Sequence, residues 1–346
     1  YKYAPTSFSK IQLSYRDWSI PVLDTDNEFE LILKKIIPQQ LPIAYLEGFE
    51  KLQQNINILN WPQKPRFIWT SNSFYLDEVF KLWAADKVEA GAPLIIGQHG
   101  GHYGQASISF PEKHELKICD YYLSWGWEDY SKKIKPIGIL KKYNKRIQKK
   151  HNFNKALFVI SGAPRYSGTL MSMPMAGQVL DYLDDQFEFY SRLSNEVSSC
   201  INIRLYPHDY KWNQYERWND FFPNAIIDNG KQSFNKLLSN SKIVICGWNT
   251  TTYLESLVSD IPTIIFWNPK LFELREEARE SFEELKIVGI FHETPDHAAS
   301  HLMAIWRDID SWWSQPEVIK AKNNFLAKYA KTTNLTNELF TILNEI

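Results

Sequence analysis

Two histidines set around a glycine pair, in Gln98-His99-Gly100-Gly101-His102-Tyr103-Gly104, make the most informative stretch in the first half of this 346-residue chain. An imidazole near neutral pH accepts or donates a proton. Three glycines in seven residues let a backbone come close to a ligand. The plain alternative is a tight turn that carries two surface histidines. The stretch is neither the GxxxxGK[ST] loop that cradles phosphates nor a GxGxxG dinucleotide fingerprint. Metal ligation by His99 and His102 lacks a carboxylate at a fitting spacing, so no metal is expected.

A second cluster, Arg204-Leu-Tyr-Pro-His208-Asp209-Tyr-Lys-Trp212, gathers a cation, an imidazole, a carboxylate and two aromatic rings. The Asp209 carboxylate suits a base, or a nucleophile at an anomeric carbon, and Arg204 suits bidentate binding of an anion. Alternatively, His208 and Asp209 cap the helix that follows. In a third, Gly247-Trp-Asn249-Thr250-Thr251-Thr-Tyr-Leu-Glu255, Asn249 reads as a helix N-cap. Thr250 and Thr251 then place hydroxyls beside the free N–H groups of the first turn, a setting that favours a nucleotide phosphate. Glu255, one turn on, suits the hydroxyls of a ribose; capping without a ligand is the alternative. Arg165, in Ser161-Gly-Ala-Pro-Arg165-Tyr-Ser-Gly168, either meets substrate or belongs to a structural turn. Glu128 and Asp129, after Trp125-Gly-Trp127, are candidate acids on the opposite wall.

Each cluster follows an apolar run short enough to be a strand. In the first half the spacing predicts helices over Phe29 to Ile37, Ala44 to Ile56 and Tyr75 to Ala90, and strands over Pro65 to Ser71, Pro93 to Gly97 and Asp120 to Trp125. The second half opens with strand Ala156 to Ile160. It continues with strands at Ile201 to Tyr206, Ala225 to Ile227, Ile243 to Cys246 and Thr263 to Phe266. Between them lie helices from Gly177 to Val197, Gln214 to Phe222, Ser233 to Ser239 and Thr250 to Val258. Helices dominate the rest, including Phe272 to Lys286 and Asp296 to Asp308. Four- or five-residue apolar strands alternating with helices imply parallel sheets covered on both faces. The basic stretch from Lys132 to Lys155 offers little to a core, so the domain boundary is placed there, giving 1–145 and 146–346. It reads as a solvated connector, or as a basic strip meeting anionic lipid or glycan at a membrane surface.

Composition narrows the classes. With 44% apolar and 23% charged residues the chain is a folded globular protein rather than a disordered one. A net charge of −1, from 39 basic and 40 acidic residues, shows no basic excess for nucleic acid. Aromatic residues reach 15%, with 13 Trp, an excess that builds large cores and also lines carbohydrate sites. Cys119, Cys200 and Cys246 lie far apart with no CxxC pair, which fits a reducing compartment and hence the cytoplasm. No apolar run approaches the roughly 20 residues of a membrane span.

The motifs QHGGHYG, HELKICDYYLSWGW, RLYPHDYKW, WNTTTYLESLVSDIPTIIFWNP and IWRDIDSWW occur in that order. Together they resemble a bacterial surface-carbohydrate transferase family, similar to the β-Kdo glycosyltransferases of lipopolysaccharide and O-antigen assembly. The resemblance runs from about Leu41 to Tyr329. It implies a GT-B-like fold, two Rossmann-type domains whose parallel sheets face a central cleft. It also implies a CMP-activated 3-deoxy-ulosonic acid, Kdo, as donor and a glycan or lipid-linked acceptor. Retention of anomeric configuration through an Asp nucleophile is implied as well, and Asp209 is taken for that role. By the same resemblance Gln98, His99, Gly100 and Gly101, with His102, form the wall near the reacting sugar. Arg204, His208 and Asp209 lie near the donor carboxylate and anomeric centre, Arg165 and Arg204 converge on its anionic groups, and Asn249, Thr250, Thr251 and Glu255 hold the CMP portion. No cofactor beyond the donor is implied. The rivals are a transferase of similar layout using a UDP-sugar or CDP-glycerol, and a non-catalytic glycan- or nucleotide-binding module. A hydride-transferring dehydrogenase is disfavoured, since no GxGxxG follows a strand.

Overall fold

The computed structural model describes residues 10–140, 155–168, 170–228 and 232–345. The chain divides into two compact units, residues 1–96 and 97–346. The boundary read from sequence, between 145 and 146, lies outside the described residues.

In the first unit the helix Glu28–Gln40 starts in a reciprocal cap: Asn27 Oδ1 accepts from Glu30 N at 3.0 Å and Glu30 Oε2 from Asn27 N at 2.9 Å. Strands β1 (Ile68–Thr70) and β2 (Leu94–Gly97) pair in parallel, Ile68 opposite Leu94. The helix Glu78–Glu89 joins them. The spacing predicts one helix from Tyr75, but the backbone breaks at Asp77 (φ −101°, ψ 92°), whose carboxylate accepts from Phe80 N at 2.9 Å. A side chain that can cap ends one turn and begins the next.

The second unit opens with the parallel pair β3 (Tyr121–Ser124) and β4 (Ile134–Pro136). β4 corrects the reading of residues 132–155 as connector throughout: Ile134, Ile137 and Ile139 are buried between lysines. The six-stranded sheet comprises β5 (Ala156–Val159), β6 (Ile201–Arg204), β7 (Ile226–Ile227), β8 (Ile243–Cys246), β9 (Thr263–Phe266) and β10 (Phe291–His292). Its order is β10-β9-β8-β5-β6-β7 and each of its pairs is parallel. All four residues of β8 and of β9 are buried, as a sheet covered on both faces requires. The α/β class with parallel strands therefore stands as read. From β5 the chain winds outward to β7, then crosses to β8 and winds outward the other way. That is the 3-2-1-4-5-6 order, whose ligand crevice lies beyond the carboxyl ends of the two central strands, here β5 and β8.

Aromatic rings fill this unit. Phe158, Phe187, Phe189, Tyr190, Trp218 and Phe266 meet edge to face, tilted or, for Phe189 and Phe266, stacked, at centroid distances of 4.8–6.1 Å. Trp125, Trp127, Trp212, Trp248, Trp267, Trp306, Trp312 and Trp313 are buried too, so the tryptophan excess serves mainly the core. After the helix Pro316–Tyr329 the chain returns toward β3 and β4. Lys331 N donates to Trp125 O at 2.8 Å, Ile139 N to Lys331 O at 2.9 Å, and Thr333 Oγ1 to Ile137 O at 2.8 Å. Gly138 (φ +102°) permits the approach, since a Cβ there would sit 2.5 Å from Lys331 O. Among the described residues no helix is long and apolar enough to cross a membrane.

Burial holds the imidazoles of His102 and His292 down to about 4. Between that value and the unfolded 6.5 the unfolded chain binds more protons, so stability rises with pH and falls on acidification. The two together lose about 3–4 kcal/mol from pH 7 to 5, and Asp185, whose carboxyl burial pushes up to about 6, returns about 1 kcal/mol. Urea unfolding at the two pH values should show a net loss of about 2 kcal/mol at pH 5. Equal stability would refute it.

Candidate active site

The glycine-rich loop leaves β2 and is fixed by one amide. Gln98, fully buried, accepts at Oε1 from Trp125 N (2.9 Å) and Trp127 Nε1 (2.8 Å) and donates from Nε2 to Gly100 O (2.8 Å). Its side chain thus shapes the loop instead of facing a substrate. Only a group with both donor and acceptor ends can do this, which explains Gln at 98. Gly104 N donates to Glu112 Oε2 at 2.8 Å, and the other oxygen of Glu112 pairs with Arg275 at 2.5 Å.

Gly101 sets the central contact. A Cβ on it would lie 2.6 Å from the carbonyl carbon and oxygen of Thr250 and 2.7 Å from Thr251 N, so the loop backbone rests on the start of the helix Thr251–Val258. The N-cap of that helix is Thr250 (φ −136°, ψ −174°), and its side chain makes no capping bond. The expected cap, Asn249, is one residue early. It is buried, and its Oδ1 lies 3.2 Å from Tyr253 Oη, which also reaches Gln105 Oε1 at 2.6 Å. One hydroxyl carries one proton, so one of these two amides must present its NH₂ end to it. With Asn249 turned inward, the first-turn N–H groups sit at the β8 end of the sheet without a side-chain cap, a setting that attracts an anion. Glu255 is half-buried one turn further along.

His99 is half-exposed. Its Nδ1 lies 3.7 Å from Oε1 of Glu115, a carboxylate with no solvent exposure on the helix Phe110–Ile118. Tyr103 Oη donates to the same oxygen at 2.7 Å and stands 3.4 Å from His99 Nε2; Tyr122 Oη donates to Oε2 at 3.2 Å. His102 differs: its Nε2 has no solvent contact, and desolvation first, then His99 and Arg275, keeps it neutral. Of the two histidines, His99 is the one with a carboxylate at ion-pair distance.

β5, β6 and β8 end level, with Val159 opposite both Arg204 and Cys246, so the 161–168, 205–213 and 247–250 loops leave one edge of the sheet. The first two interlock: the Arg165 guanidinium lies 5.3 Å from the Trp212 ring centre, and Trp212 Nε1 donates to Ala163 O at 2.9 Å. Tyr210, Lys211 and Asn213 have φ of 53°, 67° and 53°, three left-handed residues without a glycine. Here the structure parts from two expectations. Arg204 Nη1 donates to Asp228 Oδ2 at 3.0 Å and to Gln232 O at 3.1 Å, so it is tied to its own sheet edge. Asp209 accepts from Asn213 N at 2.9 Å and Gln214 N at 2.7 Å, which makes it the cap of the helix Gln214–Phe221, the alternative raised for it. Each of its oxygens is engaged by one of these amides. His208 is exposed, and Glu128 is exposed beyond β3. Asp209→Ala should therefore lower stability by about 1 kcal/mol, while Asp209→Asn, which keeps one of the two acceptors, retains part of it. Loss of all activity in a folded Asp209→Asn would restore its nucleophile role.

Sequence reasoning missed Glu115, Gln105 and Tyr253. The available signal was Ser109-Phe-Pro-Glu112, a helix-start pattern that marks the helix carrying Glu115. Among the described residues no three His, Cys, Asp or Glu side chains gather as a metal would need.

No curated protein matches the chain in sequence. Among solved structures it is similar to MurG of Acinetobacter baumannii, at 14% identity over 87% of this chain and 78% of that one, TM-score 0.45. It is also similar to the lipopolysaccharide outer core galactosyltransferase WaaB (12%, 86% and 79%, TM-score 0.43) and a variant of the wall teichoic acid polymerase TagF (12%, 74% and 68%, TM-score 0.38). The model of a transferase family matches residues 2–341.

Proposed function

We propose, since this chain belongs to the LIC12162 family of transferases, that it moves a glycosyl group from a nucleotide-activated sugar to a glycan or lipid-linked acceptor in the cytoplasm. The donor in this reading is a CMP-linked 3-deoxy-ulosonic acid. The observation that carries it is the seating of Gly101 against Thr250 and Thr251, which sets His99's loop on an uncapped helix start beside the β5–β8 crevice. A donor phosphate at the helix start meets backbone N–H groups and the positive end of the helix, so its leaving charge is stabilised without a metal. The acceptor oxygen bonds to the anomeric carbon, the bond from that carbon to the phosphate oxygen breaks, and CMP departs with the electron pair. His99 takes the proton of the acceptor hydroxyl. The ulosonic carboxylate falls to Arg165, because Arg204 is held by Asp228.

The tie between Arg204 and Asp228 favours a second reading, a UDP-sugar or CDP-glycerol donor with no carboxylate to bind. Thermal unfolding with CMP, UDP or CDP separates the two. At about 100 times its Kd a bound nucleotide adds about 2.7 kcal/mol and raises Tm by several degrees. A shift with CMP alone supports the ulosonic donor and a shift with UDP alone overturns it. No shift with any of the three overturns nucleotide binding itself.

A further inference from the structure

We infer that Glu115 is a positioning residue for the proposed reaction: with Tyr103 it holds the His99 ring and balances the charge that ring acquires on taking the acceptor's proton. This depends on the reading of His99 given above. A carboxylate with no solvent exposure is costly unless it is hydrogen-bonded and its charge answered. The hydrogen bonds come from two phenols, Tyr103 Oη to Oε1 at 2.7 Å and Tyr122 Oη to Oε2 at 3.2 Å, which favour the ionised form. The answering charge is His99, whose Nδ1 stands 3.7 Å from Oε1. That separation is within ion-pair range and beyond a hydrogen bond, so the attraction grows when the imidazole is protonated.

The neighbours sharpen the assignment. Glu112, one turn earlier on the same helix, is committed to Arg275 and Gly104 N. The helix thus places one acid against an arginine and the next against a histidine. From the loop itself, Tyr103 Oη bridges Glu115 and His99 Nε2, and its ring lies 5.3 Å from the imidazole centre. His102 stays neutral and does not compete for the proton. From β3, Tyr122 faces the carboxylate, and burial followed by Glu115 raises its own phenol, so it remains a donor across the working range. The proton that His99 gains is lost by the acceptor hydroxyl; Glu115 itself exchanges none.

The test reads the His99 titration directly. In full-length protein with ¹³C-labelled histidine, the His99 resonance is assigned by its loss in His99→Gln. Glu115→Gln keeps the hydrogen-bonding shape and removes the charge. It should lower the proton affinity of His99 by about tenfold or more, and Glu115→Asp should recover part of it. Tyr103→Phe, which strips the carboxylate's donor and the oxygen beside His99 Nε2 without adding bulk, should also displace the titration and supplies the reading if the Glu115 variants fail to fold. With a CMP-linked donor, the acidic limb of the rate profile should follow the titration while the donor KM stays near wild type. An unmoved His99 titration overturns the inference whether or not transfer is seen. A moved titration upholds the pair, and if wild type then transfers no sugar, only the proposed reaction falls.

Discussion

Replacing His99 with glutamine is expected to lower the transfer rate by roughly 10²–10⁴-fold, the range a positioned proton acceptor contributes, while nucleotide affinity changes by about twofold or less. The separation follows from the proposed reaction. In it phosphate binding falls to the backbone at Thr250 and Thr251, which the imidazole does not build, whereas the acceptor's proton would go to the ring. Single-turnover rates and calorimetric nucleotide binding on the same folded variant read both quantities. A rate within tenfold of wild type would remove His99 from the reaction and favour a module that binds without catalysis.

Gly101→Ala should be nearly as damaging by another route. The added carbon would meet the Thr250 carbonyl at 2.6 Å, closer than real Cβ contacts come, and both partners are backbone. The loop and the helix start must part. Overpacking of this kind costs about 1–3 kcal/mol, about 3–10 °C in Tm for a unit of this size, and nucleotide affinity should fall about tenfold or more. Gly168→Ala is the control, since nothing lies within 4 Å of its added carbon. Equal behaviour of the two variants would mean that the close approach has no bearing on binding.

Much of the parallel sheet was legible because its strands are buried on both faces and read as unbroken apolar runs, as in Ile243–Cys246 and Thr263–Phe266. β4 escaped because Ile134 and Ile137 are set among lysines whose pattern speaks of solvent, and β10 because only one of its two residues is apolar. Within the site, the glycines of QHGGHYG showed that a backbone would come close, but not to what. The helix start after β8 was read to within one residue; the error arose because Asn and Thr are both good caps, and only the turn at Trp248–Thr250 decides which faces inward. Asp209 was ambiguous for a similar reason, since a carboxylate before a helix looks the same whether it meets a substrate or two amides. Glu115 was invisible because its helix is mostly polar outside, and nothing local distinguishes a buried glutamate from a solvated one. Its partners lie 12 residues upstream and 7 downstream and meet it only after folding.

The segment that follows Tyr329 is linked to the histidine loop through a chain of hydrogen bonds. Lys331 N holds Trp125 O, Trp125 N holds Gln98 Oε1, and Gln98 Nε2 holds Gly100 O, each at 2.8–2.9 Å. Three consecutive links thus tether residue 331 to the glycine pair, like a guy rope pegged far from the pole. A protein truncated before Lys331 should keep its six-stranded sheet yet let the loop swing, and amide exchange at Gly100 and Gly101 would quicken first.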